Sequence, residues 1–345
     1  MMESSVTRGD AHRLMQWLSG ATATQVLSVV TRLDLADAIG DQARDVEDLA
    51  VAYGIPAERL ARLLRAAAAM GLCAELAPGK FELTATGGLL RRGTPDSLYG
   101  TVRLVSAPVT QKPWLQLETS VRTGRAAFDE VFGQPVFEYF ANEPEMSAVY
   151  DAAMGEYARG VAASLPEHYD FGRFSSVTDV GGGNGTLLTA VLRRHPGLTG
   201  VVFDDERVVP RAIEVVQQAG LSDRCEVVSG DFFRSVPRES DLYLLKSIVH
   251  DWEDEQAVQI LRRCREAMTP GNRLLILEPV LPDMVDAEVS EELYFRDLHM
   301  LVLYGGRERT RGDFEQLCSR AGLVIDEIIP LPPETGHQII ETAPA

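Results

Sequence analysis

Cysteine is scarce in this sequence, and its arrangement excludes two common kinds of site. Cys73, Cys225, Cys264 and Cys318 are the four cysteines in 345 residues. They form no CxxC pair and no spacing typical of zinc ligands, so the pattern does not predict a disulfide framework either. We therefore expect free thiols and no cysteine-bound metal.

Long hydrophobic runs are also missing. No stretch approaches the roughly 20 apolar residues that a membrane-spanning helix needs. The first residues, MMESSVTRGDAHRL, carry early charges in place of the apolar core of a secretory signal. These absences predict a cytoplasmic protein without a membrane partner.

Positive charge is in short supply. Lysine and arginine together number 33 against 51 aspartate and glutamate residues, which gives a formal net charge of -18. A phosphate backbone would repel such a surface, so the composition argues against a nucleic-acid partner.

The N-terminal quarter has the pattern of a small helical domain with a hairpin. Two helices, Val46–Tyr53 and Ala57–Met70, are predicted on either side of a Gly-Ile-Pro break. The run GLCAELAPGKFELTATG then predicts two short strands around a Pro-Gly turn. Such a winged-helix pattern either binds DNA through the Ala57–Met70 helix or serves as a packing and dimerisation module. The many alanines of that helix leave few side chains that could reach base edges, which favours the second interpretation.

Residues 99–165 remain helical in pattern but become rich in aromatic residues and methionine. Any one of these side chains could simply belong to the core. As a group they could also wall a pocket for a flat apolar ligand.

From about Phe171 onward, strands alternate with helices. SSVTDV, LTGVVFDD, CEVVSGDFF, DLYLLKS and NRLLILEPVL predict five strands, with helices at Thr186–Arg194, Val208–Ala219 and Asp254–Met268. This alternation predicts an α/β fold with a parallel sheet covered on both faces. Two further apolar runs, LVIDEIIPLP and HQIIETA, could pair as a hairpin. We predict divisions of the chain at 1–98, 99–165 and 166–345.

Acidic residues stand where the predicted parallel strands end. Asp179 precedes the run GGGNG, Asp204 ends the second strand, and Asp231 with Phe232 follows the third. Lys246 and Ser247 end the fourth strand. Ligands of open α/β sheets bind beyond the carboxyl ends of the strands, so we expect these side chains around one ligand.

The pattern fits neither a dinucleotide nor a nucleoside triphosphate. Thr186 stands where the third glycine of GxGxxG should be, and the chain has no GKS or GKT phosphate loop. Three acids suit a nucleoside that carries an amino group and a sulfonium better than they suit a pyrophosphate.

The runs VTDVGGGNGTLL, VVFD, GDFF, LKSIVHDWEDEQAVQILRRC, LLILEPVLP and GGRERTRGDFEQL resemble class I S-adenosylmethionine-dependent O-methyltransferases of the plant caffeate type and the bacterial polyketide-tailoring type. The resemblance covers nearly the whole chain. It implies a Rossmann-like sheet, an N-terminal winged-helix-like dimerisation domain, a homodimer and the cofactor S-adenosylmethionine, with S-adenosyl-L-homocysteine as product. The cofactor contacts that it implies are Gly181 and Gly183 at the methionine end, Asp204 at the ribose, Asp231 and Phe232 at the adenine, and Lys246 or Ser247 at the edge. One departure is FDDERVV in place of the usual FDLP, which puts Asp205 and Glu206 beside the ribose acid.

His250 is the candidate general base. It lies just past the fourth strand, four residues beyond Lys246, and a neutral imidazole is well suited to take the proton of a phenol. The alternative is a histidine at a helix start, since HDWED also has that pattern; the resemblance favours the base. Glu278 and Glu308 are the two candidate partners that would orient it. Glu308 stands in an arginine-rich turn, where a surface acid is the alternative.

The acceptor pocket is expected to be flat and apolar, and no metal is expected. The candidate lining residues are Phe137, Met154, Trp252, Phe295, His299 and Met300. The sequence thus predicts methyl transfer to a hydroxyl, most simply a phenolic one, of an aromatic natural-product intermediate. Three alternatives stay open: N-methylation, non-methylating chemistry such as hydroxylation, decarboxylation or cyclisation in a relative that keeps the cofactor, and a winged-helix regulator.

Overall fold

The computed structural model describes residues 8–238, 240–285 and 290–345. The chain divides between Gln111 and Lys112 into two compact units. The three-part division predicted from the sequence is not tested by this split and stays a prediction. Within the described ranges, no helix combines the length and the apolar character needed to cross a membrane.

The first unit has the predicted helices and hairpin. Its helices are α1 (Arg8–Arg32), α2 (Leu35–Ile39), α3 (Val46–Tyr53), α4 (Ala57–Ala69), α5 (Ala85–Gly88) and α6 (Tyr99–Val105), and its strands are β1 (Arg44–Asp45), β2 (Cys73–Ala77) and β3 (Lys80–Leu83). Strands β2 and β3 pair antiparallel around the Pro-Gly turn, and β1 pairs with β3. The hairpin prediction is therefore confirmed.

Helix α4 buries one face in the core of this unit. Leu60, Leu64 and Ala67 follow the helical period and are each 1% exposed. On its outer face, Arg65 forms an ion pair with Glu75 of β2 at 3.0 Å. Of the arginines that this helix would present to DNA, namely Arg59, Arg62 and Arg65, Arg65 is thus engaged within the unit.

The second unit contains the predicted α/β sheet. Helix α7 (Pro108–Trp114) contains the boundary between the units, and the helices that follow are α8 (Leu117–Thr123), α9 (Ala127–Phe132), α10 (Val136–Asn142), α11 (Pro144–His168), α12 (Thr186–Arg194), α13 (Val209–Gln218), α14 (Asp254–Ala267), α15 (Glu291–Leu303) and α16 (Arg311–Ala321). The strands are β4 (Ser176–Val180), β5 (Thr199–Asp204), β6 (Cys225–Ser229), β7 (Leu242–Lys246), β8 (Arg273–Glu278), β9 (Val280–Leu281), β10 (Arg309–Thr310), β11 (Leu323–Pro330) and β12 (Gln338–Pro344). Short 3₁₀ turns lie at Phe171–Arg173, Val249–Asp251 and Pro333–Thr335.

The seven-stranded sheet has the order β11-β12-β8-β7-β4-β5-β6. The five strands from β4 to β8 run parallel. The β11–β12 hairpin joins antiparallel, as predicted. Chain order reverses beside β4, so the carboxyl ends of β4 and its neighbours form the edge where such sheets bind ligands.

Both faces of the sheet are buried. In β7, Leu242 and Leu244 pack into one hydrophobic cluster while Tyr243 and Leu245 pack into the other. All four side chains are 0% exposed. The continuous apolar run of this strand thus has the pattern of a buried parallel strand, as the sequence predicted.

The fifth parallel strand is shorter than predicted. It ends at Glu278, and Val280–Leu281 forms a separate strand that pairs in parallel with Arg309–Thr310. Pro279 interrupts the strand because proline has no N–H for the ladder. This small second sheet brings the GGRERT segment beside Glu278.

Candidate active site

A glycine-rich turn follows β4 at the edge of the sheet. Gly183 has a φ of 57°, a left-handed conformation that glycine adopts without strain. Its N–H donates to Asp204 Oδ2 at 2.8 Å, which joins the turn after β4 to the end of β5. Gly181 also has a positive φ, of 69°. The turn therefore leaves backbone exposed for close approach by a ligand.

Asp179 carries an unsatisfied buried charge beneath this turn. Its side chain is 1% exposed, and its Oδ2 has no hydrogen-bond partner among the residues the structure describes. Burial and then the charge of Asp204 raise the pKa of Asp179 to about 7, against a smaller opposing effect of Lys246. A cationic group at this place would relieve both effects. The site therefore fits the amino group and sulfonium of the implied cofactor.

Asp204 ends β5 as a backbone-bonded carboxylate. Besides Gly183, it accepts from the N–H of Asp205 at 2.6 Å. Burial raises its pKa, and these two hydrogen bonds oppose the increase. Asp205, one of the two additional acids in the FDDERVV run, is paired within that run, because Arg207 Nε donates to Asp205 Oδ1 at 2.7 Å.

The other candidate cofactor residues lie at neighbouring strand ends. Asp231 is exposed, and its Oδ1 accepts from the N–H of Phe233 at 2.8 Å. A Cβ atom on Gly181 would lie 3.7 Å from Phe232 Cε1, so this ring flanks the glycine turn. Ser247 Oγ donates to His337 Nε2 at 2.9 Å, since His337 Nδ1 faces the carbonyl of Thr335.

Lys246, at the end of β7, is a positive charge between Asp179 of β4 and Glu278 of β8. Burial lowers its pKa, and the negative charges of Glu278 and Asp179 oppose that effect. It therefore compensates part of the acidic charge on both sides of β7.

His250 contacts Glu308 through one ring nitrogen. The histidine lies in the 3₁₀ turn after β7 and is 8% exposed. Its Nδ1 lies 3.0 Å from Glu308 Oε1. A carboxylate accepts hydrogen bonds, so in the neutral ring Nδ1 carries the proton, and Nε2, which lies 3.5 Å from Asp251 Oδ1, is the nitrogen that can accept another. Glu308 is 3% exposed, which rules out a surface acid at this position.

Glu278 holds the backbone of the same turn. Its Oε1 accepts from the N–H groups of Ile248, Val249 and His250 at 2.9, 2.8 and 3.3 Å. Its Oε2 lies 3.3 Å from His250 Nδ1. Both candidate partners therefore lie at His250 Nδ1, and Glu278 also holds the backbone of the turn; which of them orients the imidazole stays a prediction.

Three acids change the proton affinity of His250. Burial alone would lower its pKa, but the charges of Glu278, Glu308 and Asp251 outweigh burial and raise the pKa to about 9. Asp251 is itself buried, and burial raises its pKa to about 7. An imidazole in this setting takes up a proton more readily than an ordinary histidine.

One arginine stabilises the turn that carries His250, and another pairs with Glu308. Arg309 is 0% exposed and donates to the carbonyl oxygens of Val249 and Trp252 at 2.8 Å each, and to Asp254 Oδ1 at 2.9 Å. Arg296 Nε lies 3.1 Å from Glu308 Oε1.

The glycine at position 306 permits the close approach of this segment. A Cβ atom there would lie 2.0 Å from the carbonyl oxygen of His250, which is impossible without moving backbone. The neighbouring Arg307 N–H donates to the same carbonyl at 2.9 Å. Glu308 thereby reaches the imidazole because position 306 has no side chain.

Aromatic rings gather next to the base. Phe137 stacks on Trp252 at 5.6 Å between centroids and lies 5.6 Å from Tyr304. His299 lies 6.3 Å from Tyr304, and Trp114 lies 6.0 Å from His299. These rings join α7, α10, α15 and the segment after His250 into one wall.

The other expected lining residues are placed differently. Met154 is partly exposed, Phe295 is 51% exposed, and Met300 is 6% exposed. Within the described ranges, Phe295 takes part in no aromatic ring contact of the kind that joins Phe137 and Trp252. Their role as lining residues stays a prediction.

Asp151 of α11 is a candidate that the sequence did not reveal. A Cβ atom on Gly155 would lie 2.5 Å from Asn184 Nδ2, so α11 packs closely on the glycine-rich turn. Asp151 is one helical turn earlier on that face. Burial and then the charge of Asp204 raise the pKa of Asp151 to about 6. No local motif marks this residue, because its position depends on how α11 packs.

The base cluster could also hold a metal ion by geometry alone. Ligand atoms of His250, Glu278 and Glu308 lie within 4.8 Å of one another. Arg296, however, places a fixed positive charge 3.1 Å from Oε1 of the Glu308 carboxylate, which would repel an ion bound there. The expectation of a metal-free site stays a prediction.

Known protein families match both units of the chain. The model of the O-methyltransferase domain matches residues 114–324, and that of the O-methyltransferase dimerisation domain matches residues 15–92. The chain is 40% identical to the O-demethylpuromycin-O-methyltransferase of Streptomyces alboniger over 99% of this chain and 91% of the relative. It is 38% identical to the 8-amino-8-demethylriboflavin N,N-dimethyltransferase of Streptomyces davaonensis over 94% of this chain and 93% of the relative. The crystal structure of LaPhzM matches with a TM-score of 0.92 and 37% identity, over 97% of this chain and 99% of that one. Other matching structures contain S-adenosylmethionine or its demethylated product.

Replacement of Glu308 should lower the proton affinity of His250. In Glu308→Gln, the neutral amide removes one of the charges that stabilise the imidazolium, so we expect the pKa of His250 to fall by roughly 1 unit or more. The measurement is the pH dependence of the His250 ring proton shifts by NMR. Glu315→Gln, an exposed acid on α16, is the matched control and should leave the pKa unchanged. An equal pKa in wild type and Glu308→Gln would contradict the pairing.

Proposed function

Because the chain belongs to the O-methyltransferase family and is an S-adenosylmethionine-dependent O-methyltransferase, we propose that it methylates a hydroxyl of an aromatic natural-product intermediate with His250 as general base. The observation that carries the proposal is the 3.0 Å contact between His250 Nδ1 and Glu308, which leaves Nε2 as the proton acceptor.

The cofactor residues of this proposal lie along the sheet edge. Asp179, Asp204 and the glycine-rich turn would hold the nucleoside and its amino group, with Asp231 and Phe232 at the adenine. The bound cofactor supplies an electrophilic methyl group on a sulfonium. The chain's own contribution is to bind, to orient the acceptor and to remove its proton.

The pKa of His250 suits a phenol. A phenol has a pKa of about 10, so proton transfer to an ordinary imidazole of pKa about 6.5 is uphill by about 5 kcal/mol. With the pKa of His250 raised to about 9, the same transfer is uphill by only about 1.4 kcal/mol. Glu278 and Glu308 supply this difference by stabilising the imidazolium. The aromatic wall of Phe137, Trp252 and Tyr304 supports a flat acceptor beside it.

An amine acceptor is the second candidate, because a relative at 38% identity is named as an N,N-dimethyltransferase. An amine has its own lone pair and needs less help from a base. The buried pair of His250 and Glu308 favours the hydroxyl.

Removal of the imidazole tests the base. In His250→Ala we expect kcat for a phenolic acceptor to fall by about 10²–10⁴-fold, while calorimetric affinity for S-adenosylhomocysteine stays within about twofold. His168→Ala, an exposed histidine at the end of α11, is the matched control. In the wild type, kcat/KM should rise with pH up to about 9, where His250 becomes neutral.

Normal turnover of phenols by His250→Ala would reject the base. A variant that loses phenol methylation but keeps methylation of a matched aniline would instead support the amine candidate. Thermal unfolding of the variant with bound product distinguishes loss of chemistry from loss of the fold.

Activity should be independent of divalent metal ions. Arg296 forms an ion pair with Glu308 and so supplies the positive charge that a metal ion would otherwise bring. Excess chelator should therefore change kcat by less than about twofold. Rates after chelator treatment, with and without added Mg²⁺ or Zn²⁺, provide the measurement. A chelator-sensitive rate that a metal restores would show that the three-residue cluster binds an ion.

The enzyme is proposed to act as a homodimer through its dimerisation domain. Helix α1 exposes a row of large apolar side chains, namely Leu14, Met15, Trp17 and Leu18, which are 54–65% exposed. Exposed apolar patches of this kind mark protein interfaces.

Light scattering should therefore give twice the monomer mass for the wild type. Trp17→Asp should shift the protein toward monomer, because it puts a charge into the apolar face. Val51→Asp, at an 85% exposed position on α3, should leave the mass unchanged. A wild type that is monomeric at micromolar concentration would contradict the proposal.

A further inference from the structure

The hydrogen bond between Trp114 and His299 fixes the protonation state of a second histidine near the base. Trp114 Nε1 lies 3.2 Å from His299 Nδ1, and the two rings are inclined by 32°. An indole N–H can only donate, so Nδ1 must offer a lone pair. His299 is therefore neutral, with its single proton on Nε2.

The surroundings keep this imidazole neutral. Burial and then the positive charge of His250 lower the pKa of His299 to about 4. It therefore carries no charge at neutral pH. It is a hydrogen-bond donor and not a second base, because Nε2 already carries the proton and Nδ1 is occupied by the indole.

The Nε2–H of His299 lacks a hydrogen-bond partner within residues 8–238, 240–285 and 290–345. The ring packs edge-on to Tyr304, which in turn lies against Phe137. Phe137 stacks on Trp252, two residues from the base. The donor thus belongs to the aromatic wall, and because His299 is only partly buried, its Nε2–H is open to an acceptor on a ligand.

We infer that His299 is a specificity-determining residue that donates its Nε2–H to an oxygen or nitrogen on the substrate. The substrate class is then a hydroxylated aromatic that bears a second polar group, a carbonyl, carboxylate or ring nitrogen, besides the hydroxyl that is methylated. This inference rests on the proposed function, because it assigns the aromatic wall to the methyl acceptor.

Matched pairs of probes test the hydrogen bond. The probes are 1-naphthols with an acetyl group at C2, C3 or C4, each compared with its isopropenyl analogue, in which a CH₂ group replaces the carbonyl oxygen. Affinity is measured by calorimetry in the presence of S-adenosylhomocysteine, and turnover is measured with S-adenosylmethionine. We expect the wild type to bind at least one acetyl compound about tenfold or more tightly than its analogue, since a site built to hydrogen-bond a group rejects the compound that lacks it.

Variants at the two rings identify the donor. In His299→Phe, the acetyl preference should fall to within about twofold, while affinity for S-adenosylhomocysteine is retained. In Trp114→Phe, the preference should shrink because the tautomer is no longer fixed. His168→Phe, at an exposed position, should behave as wild type. The ¹⁵N shifts of His299 should show a protonated Nε2 in the wild type.

Two results would overturn the inference. One is the lack of any acetyl preference in the wild type, including failure of every acetyl compound to bind. The other is a preference that persists in His299→Phe. Failure of the proposed function would look different: the binding preference would remain, and no probe would gain a methyl group.

Discussion

Two buried carboxylates that share one imidazole are the constraint on which the site depends. Glu278 is 0% exposed and Glu308 3% exposed, and both lie within 3.3 Å of His250 Nδ1. Buried charges without partners are costly, so this arrangement requires other groups to offset it. Arg296 and Lys246 provide part of the compensation, and the three N–H groups that Glu278 accepts provide more. The path of the chain around His250 brings the two carboxylates together. Pro279 ends β8 directly after Glu278, and the short β9–β10 pairing then brings Glu308 to the same ring nitrogen, Nδ1, that Glu278 approaches.

The negative charge at the sheet edge also links the cofactor residues to the base. Among the residues that the structure describes, Asp179 Oδ2 has no hydrogen-bond partner, and burial and then the charge of Asp204 raise the pKa of Asp179 to about 7. Lys246 interacts with Asp179 on one side and with Glu278 on the other. Lys246 is therefore the group through which the charges at the glycine-rich turn and those around His250 interact.

The sequence could name the candidate residues of this site, whose roles stay predictions, but not the contacts that join them. Asp179, Asp204 and Lys246 could be located because they end buried parallel strands, and that pattern is local. The sequence alone could not show that Glu278 and Glu308 both approach His250. That arrangement depends on the break at Pro279 and on the lack of a side chain at Gly306, which together bring two distant segments into contact. Trp114 and His299 are far apart in the chain, and no periodicity relates them. The sequence also left two interpretations of the N-terminal helices, because a winged-helix pattern predicts a topology and not a binding partner. The dimerisation-domain match and the pairing of Arg65 with Glu75 favour the packing module over DNA binding.

The two histidines of the site illustrate how neighbours, and not residue type, assign chemical roles. His250 faces three carboxylates and has a pKa raised to about 9. His299 faces an indole N–H and the charge of His250, and its pKa is lowered to about 4. When the surroundings shift the pKa values of two titratable groups in opposite directions, one group becomes the better proton acceptor and the other stays a neutral hydrogen-bond donor. Each assignment also supports the other: the positive charge that His250 gains when it takes a proton keeps His299 neutral, and a neutral His299 does not compete for that proton. In the two roles proposed above, one imidazole takes the proton of the substrate while the other donates a hydrogen bond to it.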